Sequence, residues 1–107
     1  MTRDAERRRR TRASFEGWVE VRAPGGRRRA RGLDLSAHGI GLSIEPPHPG
    51  LGDSVTSEFA LPGISPPVAL EGDVVWGDAG GARIGLRFRS VDPGLDEIIE
   101  RFVADRL

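Results

Sequence analysis

The chain has 107 residues, enough for one domain with a single hydrophobic core and too few for a catalytic domain beside an accessory one. It has no cysteine, which excludes disulfides, thiolate nucleophiles and cysteine-based zinc sites together and fits a reducing, cytoplasmic setting. Formal net charge is zero but unevenly placed: residues 1–31 hold 11 Arg against 4 acids, residues 32–107 hold 5 Arg against 12, and there is no Lys.

Residues 1–12 carry no apolar periodicity and culminate in the run Arg7-Arg8-Arg9-Arg10-Thr11-Arg12, so a flexible, arginine-rich arm is expected there. The domain proper is expected over 13–107. From Phe15 the pattern turns to period two, with Trp18, Val19 and Val21 in a short strand that ends at the hairpin signal Pro24-Gly25-Gly26. The next strand runs through three arginines into Leu33 and Leu35. Alternation then places Ile40, Leu42 and Ile44 on one face, with Gly41 and Ser43 on the other.

The proline-rich stretch 46–53 cannot continue a central strand and reads as a loop. Val55, Phe59 and Leu61 mark a fourth strand, Leu70, Val74 and Trp76 a fifth, and Ile84, Leu86 and Phe88 a sixth. Six short strands separated by turns predict a closed or nearly closed antiparallel barrel or sandwich. Only the end changes period: after Asp92-Pro93, the spacing of Leu95, Ile98, Ile99, Phe102 and Val103 predicts a helix over about 94–106 with one apolar face. No apolar stretch is long enough for a membrane span or a secretory signal.

Catalytic chemistry finds little footing. Asp34, Ser36 and His38 lie within five residues at one strand end, so the imidazole cannot stand between hydroxyl and carboxylate as a triad requires. His38 and His48 are lone histidines, ten residues apart in a chain with no cysteine, so a metal site built on them is not expected, and a phosphate loop of the Walker type needs a lysine the chain does not have. What does stand out is Asp34-Leu35-Ser36-Ala37-His38-Gly39. Alternation would aim Asp34 and Ser36 the same way from a rigid corner, while Gly39 admits positive φ or close backbone approach. On chemistry alone the favoured reading of these residues is a turn in which Asp34 and Ser36 hydrogen-bond only to their own backbone.

The order of these features resembles the PilZ domain family: R-x-x-x-R, about twenty residues, then D-x-S-x-x-G, a strand series containing residues 82–88, and a closing helix. R-x-x-x-R occurs four times, and Arg8 with Arg12 is the pair that stands just before the first strand. The resemblance covers residues 7–107 and implies an all-β fold, a six-stranded antiparallel barrel with a C-terminal helix. It further implies a non-catalytic receptor or adaptor for cyclic dimeric GMP, with no cofactor or metal. In that reading Arg8 and Arg12 grip guanine edges and phosphates, Asp34 accepts from the guanine N1/N2 edge, Ser36 adds a hydroxyl contact and Gly39 holds the turn. Arg7, directly before the first motif arginine, implies a self-stacked pair of ligand molecules per chain. Ligand would order the arm against the barrel, and an unknown downstream protein would read the result. The competing readings are a ligand-independent interaction scaffold of the same fold and nucleic-acid binding by the arm. The acidic second half argues against the latter.

Overall fold

The computed structural model describes residues 11–78 and 82–106. The described residues form seven strands and one helix: β1 (Ala13–Ser14), β2 (Trp18–Ala23), β3 (Gly26–Leu35), β4 (Gly39–Ser43), β5 (Ser54–Phe59), β6 (Val68–Gly77), β7 (Arg83–Phe88) and α1 (Pro93–Asp105). All pairings are antiparallel, in the order β1-β3-β2-β5-β6-β7-β4, and β4 returns to pair with β3. Six strands therefore close into a barrel, and β1 is an addition along the β3 edge. This is the predicted barrel plus one strand that is too short, at two residues, to give a periodic signal.

Closure follows from the alternation. Val19, Val21, Leu35, Ile40, Leu42, Ile44, Val55, Phe59, Leu70, Val74, Ile84 and Leu86 all point inward and are buried. Each large aliphatic side chain so removed from water contributes roughly 1.5–3 kcal/mol, the main term opposing chain entropy. Gly26 turns the β2–β3 hairpin with φ of 123°, where the sequence places it. Outside, Arg89 laces β5 to β6 by donating to Ser54 Oγ at 2.7 Å and Asp73 Oδ1 at 2.5 Å. The bond and charge of Asp73 hold that guanidinium above its ordinary pKa.

The helix closes one end. Asp92 caps it by accepting from the Gly94 amide at 3.1 Å, and Pro93 occupies its first turn, where no backbone donor is needed. Ile99 and Val103 are buried, whereas Leu95, Ile98 and Phe102 are only partly covered. Phe15 links the helix to the barrel, edge-on to Phe59 at 5.4 Å and to Phe102 at 5.8 Å between ring centroids. No helix among the described residues is long and apolar enough to cross a membrane.

Two irregularities overturn the simple alternation. The β3–β4 register shifts between Gly32 and Asp34, so Leu33, which strict alternation would put on the same face as Leu35, is 36% exposed while Leu35 is buried. The β6–β7 register shifts between Val74 and Trp76, so Trp76, expected on the face of Leu70 and Val74, is 44% exposed. An extra residue in one strand of a pair moves everything after it to the other face.

Candidate functional site

Both irregularities deliver side chains to the same region of the surface. β1 pairs Ala13 with Leu35 and Ser14 with Asp34, which brings the preceding Arg12 alongside the end of β3. There Arg12 Nη1 and Asp34 Oδ1 are 2.5 Å apart, with side chains 41% and 39% exposed. The bulge in β3 places the Asp34 carboxylate over Gly41 of the neighbouring strand, where a Cβ would come within 2.8 Å of Asp34 Oδ1.

The corner beyond Asp34 is built differently from the expectation. Ser36 does not share the exposure of Asp34, because β3 ends at Leu35 and the chain turns back. Ser36 is buried, and its Oγ accepts from the amides of His38 at 3.1 Å and Gly39 at 3.2 Å. The Ser36 amide in turn donates to the Gly39 carbonyl at 2.9 Å. Gly39 meets its requirement through close approach and not through positive φ: a Cβ there would fall 2.0 Å from the Leu86 carbonyl oxygen on β7. The self-bonded turn and the rigid corner are thus one object.

Arg12 also lines an open cleft of about 300 Å³ together with His38, Val75, Trp76, Leu86 and Arg87. Trp76 reaches it because the bulge in β6 turns the indole outward, across Gly85 on β7. A Cβ at Gly85 would stand 2.0 Å from Trp76 Nε1, so only glycine leaves room for the ring. The cleft joins an indole face, two guanidinium groups and, through Arg12, a carboxylate. A planar base can stack on the first, anions can bind the second, and base-edge donors suit the third.

Of the residues expected at the site, Arg12, Asp34, Ser36 and Gly39 come together within one corner, while Arg7 and Arg8 lie outside the described residues. Trp76, Arg87 and His38 are additions that the sequence did not single out for this role. Trp76 reads as core under strict period two, and Arg87 reads only as a strand residue. Their one signal is Gly85, opposite Trp76 across the β6–β7 pair, and it has meaning only once that pairing is known. His48 lies elsewhere, with Nδ1 2.9 Å from the Pro49 carbonyl oxygen.

A family model described as PilZ domain matches residues 6–105. None of the curated proteins matches the sequence. Among solved structures, the chain superposes on the Bacillus subtilis inhibitor of motility MotI/DgrA with a TM-score of 0.69 at 16% identity, covering 90% of this chain and 49% of that one. The chain therefore spans about half the length of that protein. It superposes on the PilZ domain of YcgR from Escherichia coli, solved with c-di-GMP, with a TM-score of 0.67 at 17% identity, covering 89% and 87%. For the PlzA protein of Borreliella burgdorferi, in complex with c-di-GMP, the values are 0.62, 13%, 96% and 38%. At these identities the likeness is one of fold.

Proposed function

Because the chain belongs to the PilZ domain family, we propose that it is a non-catalytic receptor for cyclic dimeric GMP and acts as an adaptor. The observation that carries this reading is the shared position of Arg12, paired with Asp34 on one side and lining the Trp76 cleft on the other. An ion pair this exposed contributes only about 0–1 kcal/mol, so exchanging it costs little. The ligand is a dianion with two guanines. Its phosphate takes Arg12 from Asp34, and the released carboxylate accepts from the N1/N2 edge of a guanine. Trp76 offers a stacking platform for a base, and Arg87 a second positive charge.

Arg8 supplies the other fork of the cationic jaw, drawn in with the arm, and Arg7 supports a second, stacked ligand molecule. Ser36 and Gly39 form the fixed wall, whose turn is held before any ligand arrives. Ordering the arm costs backbone entropy, which several charge-assisted bonds formed together offset at about 1.5–3 kcal/mol each. The known structures solved with c-di-GMP on this fold support the same ligand class.

Isothermal titration with cyclic dimeric GMP, with GTP and cyclic GMP as controls, tests the proposal. A saturable heat for the cyclic dinucleotide alone is the expected result. Equal responses to GTP, or no heat at all, would refute it.

A further inference from the structure

The strongest unassigned feature is the outer face of β2 and β3. Arg27, Arg29 and Arg31 project from alternate positions of β3, about 6.5–7 Å apart along the strand, and all three are exposed. Trp18 of β2, directly opposite Arg31, is 54% exposed. The guanidinium carbons of Arg29 and Arg31 lie 4.8 and 4.9 Å from its ring centroid. Arg27 is partnered by Glu20 at 3.4 Å. Among the described residues, Arg29 and Arg31 form no ion pair, and both guanidinium groups lie over the indole. An open cleft of about 280 Å³, lined in part by Trp18, Glu20, Arg29, Glu58 and Pro67, lies beside the ring.

We propose that this face is a docking surface for an acidic segment of a partner protein, with Arg29 and Arg31 receiving two carboxylates and Trp18 anchoring an adjacent apolar side chain. Two guanidinium groups two residues apart on a strand match carboxylates at i and i+2 of an extended segment, which repeat at the same spacing. Pre-orientation over an indole lowers the entropy lost when they bind, and tryptophan with arginine is the composition that dominates interface energetics. The charge pattern also chooses the class of partner. Glu20 and Glu58 face each other across β2 and β5 within the same patch, so a continuous phosphate chain crossing it would meet carboxylates, whereas discrete acidic side chains avoid them. That this is the output surface of the receptor rests on the function proposed above; the binding itself does not.

The two tryptophans make the test site-specific, since Trp18 marks this face and Trp76 the ligand cleft. Their indole N–H resonances, assigned with Trp18→Phe and Trp76→Phe variants, are followed while the peptide acetyl-Glu-Thr-Glu-Thr-Leu-amide is titrated into 15N-labelled protein. The expected result is a saturable shift of the Trp18 resonance that the Gln-for-Glu peptide does not cause. Arg29→Glu with Arg31→Glu should weaken it at least tenfold, and the milder Arg29→Gln with Arg31→Gln pair gives the same reading should the first variant misfold. No saturable shift at millimolar peptide would overturn the proposal, as would a shift that survives both double variants. A stronger response of Trp18 to a ten-residue oligothymidylate or to phosphatidylserine vesicles would overturn it in favour of a polyanion or a lipid surface. Failure of cyclic dimeric GMP to move Trp76, with the peptide response intact, would remove the receptor reading and leave this surface standing.

Discussion

Arg12 and Asp34 are joined by an exposed ion pair that contributes only about 0–1 kcal/mol to the fold, which is what the proposed exchange of partners requires. Arg12→Ala and Asp34→Ala should therefore each weaken cyclic dimeric GMP binding at least tenfold in calorimetry. The melting temperature should fall by no more than roughly 4–8 °C, the shift that about 1 kcal/mol causes in a domain of this size. Unchanged titrations for both variants would mean that the ligand does not use this corner. Gly85→Ala probes the other side of the cleft: its methyl group must displace the Trp76 ring. The expected outcome is a shifted Trp76 indole resonance together with weaker binding, at an overpacking cost of about 1–3 kcal/mol. Gly39→Ala is a different case, because its neighbour is the Leu86 carbonyl oxygen and not a movable side chain. That variant should lose the β4–β7 pairing, and a normal melting curve would show the approach to be looser than described.

At the scale of elements, the helix is the part whose contribution can be ranked. Ile99 is fully buried, while Ile98 lines a groove with Leu61, Pro62 and Ile64 and is only partly covered. Ile99→Ala should cost about 2–5 kcal/mol and Ile98→Ala distinctly less, as read by chemical denaturation. The reverse order would place the helix on the barrel with a different face. The helix and the six barrel strands were legible in the sequence because each repeats its period over several residues. Ile40, Leu42 and Ile44 are all buried as the alternation demands. What stayed hidden was the placement of Leu33 and Trp76, for one physical reason: each follows a point where two strands fall out of step, and a bulge is a property of the pair and not of either sequence alone. Ser36 was misplaced by the same kind of local event, a turn beginning one residue after Leu35. Asp34 and Gly39 stand at one corner as their spacing suggests, the carboxylate because the β3 bulge carries it over Gly41 and the glycine because β7 approaches too closely for a Cβ.

For the molecule as a whole, the uneven distribution of arginine along the chain sets the salt dependence and the stoichiometry to expect. Binding should weaken as ionic strength rises, and the stepwise heats should report two cyclic dinucleotides per chain. Arg7→Ala should reduce that number to one while leaving the first association in place. A single ligand in the unmodified protein would remove the role given to Arg7. The unequal seams of the sheet carry a last consequence. β2, β5, β6 and β7 are each held along four or more residue pairs by both neighbours, yet β1 grips β3 through two residues only. In deuterated buffer the Phe15 amide, which donates to the Leu33 carbonyl, should exchange by local fraying, whereas the amides of Val19 and Val21 wait for global unfolding. Under the function proposed above, the half of the site carried by β1 would then come away at a small fraction of the free energy that keeps the barrel shut, and ligand should slow exchange at that seam far more than anywhere else.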